Sequence, residues 1–286
     1  MQNKYHLGII GGSGLYDFPG LENRNTIDIT TPFGKPSSPI LTGTLNGKNV
    51  AFLARHGIGH VYSPSEVNYR ANIYALKSLG LSRIVSVSAC GSLREDFAPG
   101  DIIIPDQIFD HTHKRERTFF QNGISAHIGA PQPYCSQLSE IVFSALGKTG
   151  ANVHRGGTYI TIEGPRFSTI AESNVYRAWG MSIIGMTACP EIFLAREAEL
   201  CYCTMAHVTD YDVWHASEEP VSVEMVIKTL QKNTTIAQEA IINLIDLIDE
   251  QPCSCHSALK DSIMTRPDLI PEQTREKLKL LIQKYL

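Results

Sequence analysis

The sequence predicts an α/β fold, with one domain over residues 1–286 built from a mixed central β-sheet flanked by α-helices. Short runs rich in Ile and Val recur along the chain, and several of them end at or near Gly, Pro, Ser or Asp. Such runs are too short for most helices and are typical of buried strands. Stretches with apolar residues at helical spacing lie between several of them, and this alternation favours helices packed on a sheet.

The strand-like runs share an apolar core and a polar or glycine-containing end. In chain order they are Leu7–Ile10, Val50–Leu53, Ile84–Val87, Ile102–Ile104, Tyr159–Ile162, Ile183–Met186 and Cys201–Val208.

Four stretches are predicted to be helical. Ser65–Leu79 places its apolar residues on one face, and Thr169 with Glu172 three residues later forms a capping box. From Val223 onward helical spacing continues as far as Ile248, and this stretch is expected to cover one face of the sheet. A last amphipathic helix near Glu272–Leu286 belongs to a C-terminal helical segment, about 253–286, of the same domain.

Composition limits the possible partners. The 286 residues are 43% hydrophobic and 19% charged, with a net charge of −4, so the chain has no broad basic field for nucleic acid. No apolar run approaches membrane-spanning length, so no membrane partner is expected. The segment Met1–His6 lacks the pattern of a secretory signal. We therefore expect a cytoplasmic protein that acts on a small molecule.

The seven cysteines lie mostly inside apolar segments, which fits reduced thiols in a core. The exception is the stretch Cys253-Ser254-Cys255-His256, which is compatible with a local disulfide, a metal corner or plain thiols. Two thiols and one imidazole without a fourth clustered ligand favour plain thiols. The sequence therefore predicts no metal site.

The segment Thr209-Asp210-Tyr211-Asp212 follows a long apolar run and delivers two carboxylates where a buried strand is predicted to end. On an extended segment, side chains two residues apart point the same way. Carboxylates crowded against an apolar wall tend to retain a proton at neutral pH, and such a proton can be donated. An isolated segment of this kind is more often an exposed turn whose Asp residues bond their own backbone.

Four further segments rich in hydrogen-bond donors follow predicted strands: Gly11-Gly12-Ser13-Gly14, Arg55-His56-Gly57, Ser88-Ala89-Cys90-Gly91-Ser92 and Met186-Thr187. Each alone is compatible with a structural turn, but four at strand ends favour one convergent pocket for an anion. His56 and His60 have the spacing of zinc ligands on a helix, but two intervening glycines make a helix implausible.

Seven spaced blocks then identify a family. They are Gly11–Leu15, Thr31–Ser37, Ala54–Gly57, Val67–Ile73, Ala89–Arg94, Glu163–Ser168 and Thr209–Asp212. Together, in order and over nearly the whole chain, they resemble the 5′-methylthioadenosine phosphorylases of the trimeric purine nucleoside phosphorylase superfamily. The resemblance implies a nucleoside phosphorylase-like fold, a homotrimer and inorganic phosphate as co-substrate, with no metal or organic cofactor.

The resemblance also implies roles for individual positions. Phosphate is expected against Ser13, Arg55, His56, Ser88, Ala89 and Thr187. Met186 matches the position along the ribose, and the segment Asp210, Tyr211 and Asp212 matches the purine site, with Asp210 and Asp212 as the catalytic pair. Ser168 and Val223 match positions that set specificity, and His127 matches one that reaches the neighbouring subunit's 5′ pocket.

One residue departs from the family pattern, and one short segment matches only some members of the family. Gly185 stands where many relatives carry Asn, which is expected to loosen a purine or ribose contact. Cys253 and Cys255 resemble the C-x-C tail of some relatives, in which a disulfide can form.

The expected activity is phosphorolysis of S-methyl-5′-thioadenosine to adenine and 5-methylthioribose 1-phosphate, a salvage reaction. A carboxylate pair that accepts one hydrogen bond and donates another suits a 6-amino purine, whereas an amide would suit a 6-oxopurine better. Apolar Val223 is expected to favour a methylthio group over a free 5′ hydroxyl. The alternatives are a 6-oxopurine or methylthioinosine phosphorylase of the same fold, or more distantly a nucleoside-binding protein without turnover.

Overall fold

A computed structural model describes residues 5–12, 15, 18–215, 223–249 and 251–286 of the chain. No helix in this part of the chain is long and apolar enough to cross a membrane.

Within these residues, eleven strands form one mixed sheet, which confirms the predicted fold class. The order is β2-β3-β4-β1-β5-β10-β9-β7, while β11 pairs with β5 and β6, and β6 pairs with β8. The bounds are β1 Tyr5–Gly11, β2 Glu22–Ile27, β3 Ile40–Leu45, β4 Lys48–Ala54, β5 Arg83–Ser92, β6 Ile102–Ile104, β7 Gln107–His111, β8 Val153–Arg155, β9 Thr158–Ile162, β10 Ile183–Gly185 and β11 Cys201–Asp210.

Helices flank this sheet. They are α1 Tyr69–Ser78, α2 Ser136–Leu146, α3 Ile170–Ala178, α4 Ala188–Glu197, α5 Val223–Leu247 and α6 Glu272–Ile282, with short 3₁₀ helices at Ser254–Ser257, Pro267–Leu269 and Gln283–Tyr285. The capping box of α3 forms as predicted between Thr169 and Glu172. Helix α1 begins four residues later than predicted because the Asn68 side chain caps it by accepting the N–H of Ala71.

Helix α5 covers one face of the sheet, as its apolar spacing predicts. Its residues Ala237, Ile241 and Leu244 are fully buried in one cluster with residues of β1, β4, β5 and β11. Burial of a continuous apolar face supplies most of the stability of such a helix.

Strand β5 is the centre of the sheet and the element that positions the candidate site. It pairs in parallel with β1 and β11, and its last residues pair antiparallel with β10. The prediction that the Ser88–Ser92 segment is a turn after this strand is therefore wrong. Its backbone continues the strand because β11 on one side and β10 on the other provide hydrogen-bonding partners.

Candidate active site

Arg55 follows β4 directly and turns its side chain under the end of the sheet. Its guanidinium is only 2% exposed and forms a bidentate ion pair with Glu191 of α4, at 2.8 Å from Nε and 3.0 Å from Nη2. Nη2 also donates to Ser86 Oγ at 2.6 Å, and Nη1 donates to the Val87 carbonyl at 3.3 Å. Burial alone would lower the pKa of Arg55, but the effect of the Glu191 carboxylate outweighs that of burial, so the net result is a raised pKa.

This geometry changes the role predicted for Arg55. The described contacts engage four of its five N–H donors, so what can reach a bound anion is the remaining N–H of Nη1. Glu191, which is fully buried and also accepts from Tyr202 at 2.7 Å, neutralises much of the charge. Arg55 therefore has a structural role, because it connects β4, β5 and α4, in addition to offering one N–H to an anion.

Arg55 connects β1, β5 and α4, the elements beside which the other donor-rich segments lie in the chain. The backbone N–H of Arg55 donates to Gly11 at the end of β1, and its side chain contacts β5. The same side chain reaches Glu191 on the helix that starts after Thr187. Ser13 lies outside the described residues.

Several hydroxyl groups in this region lack a well-formed hydrogen bond within the protein. Ser88 Oγ and Tyr159 Oη are buried close to each other, and neither completes a hydrogen bond within the described part of the chain. Ser86 and Ser88 point to the same face of β5, so the Ser88 hydroxyl shares a face with the group that binds Arg55. Thr187 is buried at the N-cap of α4, but its side chain makes no capping hydrogen bond. Buried hydroxyls without partners are expected to be satisfied by a ligand or by water.

His56 is held as a neutral imidazole. Its Nδ1 lies 2.9 Å from the carbonyl oxygen of Tyr62, so this nitrogen carries the proton and donates. Burial, with the Arg55 charge, lowers the pKa of His56 to about 4. The ring stacks on His60 at 4.2 Å between centroids. At neutral pH the other nitrogen, Nε2, is left as a hydrogen-bond acceptor.

Arg115 fixes the segment around Met186. Its Nη1 donates to the carbonyls of Met186 and Cys189, each at 2.6 Å, and its Nη2 donates to the carbonyl of Glu163 at 2.8 Å. Two approaching loops are thereby tied to one buried cation. Gly164, with φ +68°, is needed at this point because a Cβ there would lie 2.6 Å from the Met186 sulfur.

The departure at Gly185 has a structural explanation. The hydroxyl of Tyr159 occupies the space that a Cβ on residue 185 would fill. Tyr159 is fully buried, and burial raises the pKa of its phenol. The Tyr159 side chain from β9 thus fills the space that a side chain at position 185 of β10 would otherwise occupy.

Asp210 is the last residue of β11 and lies against Gly91 of β5. Gly91 makes this approach possible, because a Cβ there would lie 2.8 Å from Asp210 Oδ1. The carboxylate accepts from the Thr209 hydroxyl at 2.6 Å and from the N–H of Asp212 at 2.8 Å. Burial raises the pKa of Asp210 to about 6, while these hydrogen bonds act in the opposite direction.

The prediction that the two carboxylates share an extended segment is wrong in detail. Asp212 lies beyond the strand with φ +53°, and Asp210 accepts its N–H in a local turn. This is the backbone hydrogen bond of an ordinary Asp turn, but both residues are buried rather than exposed. The two Asp residues are therefore joined by a turn whose carboxylates are shielded from solvent.

Asp212 faces hydroxyls at the start of α3. Burial raises its pKa, and the hydroxyls of Ser173 and Ser168 act to lower it. These hydroxyls lie near the carboxylate without completing a hydrogen bond, so Asp212 Oδ2 and Ser168 Oγ are buried and have no partner among the described residues. The predicted specificity residue Ser168 is therefore brought to the carboxylate pair, together with Ser173, which sequence reasoning missed.

The structure gives less detail on the other residues predicted for the site. Tyr211 lies between the two carboxylates in sequence, and its ring stacks on His215 at 4.5 Å between centroids. His127 is exposed, and its N–H donates to Ser262 of the C-terminal segment. Val223 begins α5, but its side chain lies outside the described residues. Ala89 is half-buried on β5, between Ser88 and Cys90.

Sequence reasoning also missed Glu191, Arg115 and Tyr159. Each is a polar residue buried within the fold, and each contacts residues distant in the chain. The only local signal was a polar side chain inside an apolar stretch, such as Glu191 between Pro190 and Ile192.

Comparison with known proteins agrees with this geometry. Residues 6–246 match the phosphorylase superfamily. An S-methyl-5′-thioadenosine phosphorylase of Geobacter sulfurreducens is 52% identical, over 98% of this chain and 99% of that protein.

Two solved structures are also similar. The crystal structure of a methylthioadenosine phosphorylase from an Antarctic soil metagenomic library has a TM-score of 0.93 and 46% identity, covering 98% of this chain and 99% of that one. A methylthioadenosine phosphorylase from Schistosoma mansoni in complex with adenine has a TM-score of 0.85 and 38% identity, covering 93% of this chain and 100% of that one. The chain therefore belongs to the phosphorylase superfamily and, within it, to the family of S-methyl-5′-thioadenosine phosphorylases.

Proposed function

We propose that the site on β5 catalyses phosphorolysis of S-methyl-5′-thioadenosine, giving adenine and 5-methylthioribose 1-phosphate. The observation that carries the proposal is the buried carboxylate pair Asp210 and Asp212 on the same central strand assembly as unpartnered hydroxyl donors, in a chain of this family. The enzyme is thus a pentosyltransferase that uses inorganic phosphate as the acceptor.

In the reaction, a phosphate oxygen forms a bond to C1′ while the bond from C1′ to N9 breaks. The bonding electron pair goes to the purine, which must gain a proton to leave as neutral adenine. Asp210 supplies this proton to N7, because a carboxyl group whose pKa is about 6 is close to the working pH of a general acid. Asp212 accepts from the exocyclic amine; its unpartnered Oδ2 is available for this contact.

Phosphate is held by neutral donors as well as by charge. Ser88 Oγ, Thr187 Oγ1 and the remaining N–H of Arg55 Nη1 donate to its oxygens. The backbone at Ala89 and the hydroxyl of Ser13 complete the set. His56 Nε2, an acceptor, takes a hydrogen bond from a protonated phosphate oxygen or a ribose hydroxyl.

The ribose lies along Met186, whose backbone is held in place by Arg115. Ser168 orients Asp212, while Val223 and His127 are assigned to the 5′ pocket, His127 from a neighbouring subunit. A homotrimer predicts a light-scattering mass of about three times 31.6 kDa. We also propose that the protein acts in the cytoplasm and needs no metal or organic cofactor for catalysis.

Steady-state kinetics with methylthioadenosine, adenosine, inosine and methylthioinosine, each with and without phosphate, tests this function. We expect phosphate-dependent release of adenine, with methylthioadenosine the best substrate. Higher kcat/KM for the 6-oxo compounds would favour the inosine-type alternative. Tight nucleoside binding without turnover would favour a binding protein.

A further inference from the structure

Four cysteine thiols from three separate parts of the chain meet at one point. Cys135 caps the N-terminus of α2, Cys201 begins β11, and Cys253 and Cys255 lie in the segment that contains the first 3₁₀ helix. One sulfur from each lies within 4.8 Å of every other. All seven cysteines of the chain have free thiols in the structure.

The spacing fits a tetrahedral thiophilic cation. Zn²⁺ bound by four thiolates at about 2.3 Å places the sulfur atoms about 3.8 Å apart. Cys135 Sγ and Cys253 Sγ are 3.6 Å apart, close to that value. A disulfide would need about 2.0 Å. The other sulfur–sulfur distances are at most 4.8 Å. A shortening of these distances would bring all four sulfur atoms into position around one ion.

The surroundings suit thiolates. The backbone N–H of Leu138, in the first turn of α2, donates to Cys135 Sγ at 3.4 Å. His256 Nε2 lies 3.5 Å from Cys201 Sγ. N–H donors stabilise a tetrathiolate, and such surrounding contacts orient the ligands. Cys253 is half-buried, so the cluster has an entry side.

We propose that Cys135, Cys201, Cys253 and Cys255 form a structural site for one Zn²⁺ ion. The sequence alone offered only the last two thiols beside one imidazole, whereas the fold adds the other two. Binding releases the thiol protons and joins α2, the start of β11 and the C-terminal segment. Cys201 lies nine residues from Asp210 along β11, about 30 Å at about 3.3 Å per residue, so the site is separate from the chemistry.

The test uses full-length protein purified under reducing conditions and then exposed to Zn²⁺ or Co²⁺ alone. We expect about one tightly held Zn²⁺ per chain, and a Co²⁺ spectrum with the intense visible bands of tetrahedral thiolate coordination. The double variant Cys253→Ser with Cys255→Ser should lose both signals. Cys203→Ser is the matched control, because Cys203 is a buried thiol on β11 outside the cluster, and it should keep both.

Stability provides a second readout. Removal of the ion by a chelator should lower the thermal midpoint of the wild type by about 10 °C and leave that of the double variant unchanged. Phosphorolysis at a temperature where both remain folded should be unaffected. Reduced wild-type protein that binds neither ion would overturn the proposal. A disulfide among these four cysteines in protein prepared without oxygen would overturn it as well.

Discussion

Replacing Asp210 by Asn is expected to stabilise the folded protein at neutral pH while reducing its turnover of adenine nucleosides. The local hydrogen bonds tolerate the change. The amide oxygen can accept the N–H of Asp212, and the amide nitrogen can donate to Thr209 Oγ1. Thr209 can then direct its own proton to the carbonyl of Cys90, which is already 3.3 Å away. The substitution thus removes a charge while both existing hydrogen bonds keep a partner.

The magnitude follows from the proton affinity of the carboxyl group. Its pKa rises from 3.8 to about 6, which corresponds to about 3 kcal/mol at about 1.4 kcal/mol per pKa unit. Because the folded-state pKa is raised, the folded state binds the proton more tightly than the unfolded state. The destabilisation by ionised Asp210 is therefore fully present above about pH 6 and disappears as the pH falls below the ordinary value of 3.8.

Urea unfolding of wild type and variant at pH 4, 6 and 8, at one protein concentration, measures this effect. The free energy of unfolding of the variant should exceed that of the wild type by up to about 3 kcal/mol at pH 8, and the difference should shrink toward pH 4. Turnover should fall by about 100-fold or more, as expected when a general acid is lost. Phosphate affinity should change little.

Asp110→Asn is the control, because Asp110 accepts the N–H of Thr112 two residues on, yet is partly exposed and lies near Arg117. It should not stabilise the protein. A stability difference for the Asp210→Asn variant that is independent of pH, or near-normal turnover, would refute the reasoning.

Three further changes test the surrounding contacts. Ser88→Ala should raise the KM for phosphate by about tenfold, since one hydrogen bond to a charged ligand is lost; an unchanged KM in steady-state assays would remove Ser88 from the phosphate site. Glu191→Gln should lower the unfolding free energy by about 3 kcal/mol or more in urea titrations, because it leaves the buried Arg55 without its counter-charge; a neutral effect would contradict the structural role of that pair. Gly185→Ala should cost about 1–3 kcal/mol by colliding with the Tyr159 hydroxyl, and Tyr159→Phe in the same chain should restore part of it; additive losses in the double-mutant cycle would show that the two positions are not in contact.

Much of the sheet could be predicted because its central strands are buried on both faces. The seven predicted runs all became strands, and β1 and β4 extend only one or two residues beyond the predicted ends. Strand β2, by contrast, is an almost fully exposed strand of polar residues paired only with β3, so it has no apolar pattern to detect. The end of β5 was misjudged because Ser and Gly, which usually break strands, are here paired with neighbouring strands, Gly91 with both β10 and β11.

The candidate site, like the sheet, could be predicted only in part from the sequence. Residues next to each other in sequence, such as Asp210 with Asp212 and Arg55 with His56, could be recognised as chemically significant groups. Their actual states depend on partners that only the fold supplies. Glu191 lies 136 positions from Arg55, and the filled space at Gly185 is explained only by Tyr159 on the adjacent strand. No local pattern encodes such pairings.

The central claim is that phosphate and purine occupy one site organised by β5, with Asp210 at the base. A crystal structure of this protein with a methylthioadenosine analogue and sulfate as the phosphate mimic tests it most directly. We predict N7 of the purine at about 3 Å from an Asp210 oxygen, and sulfate oxygens at similar distances from Ser88 Oγ, Thr187 Oγ1 and Arg55 Nη1. A purine bound away from Asp210, or a sulfate bound at a site remote from Ser88 and Thr187, would contradict the account.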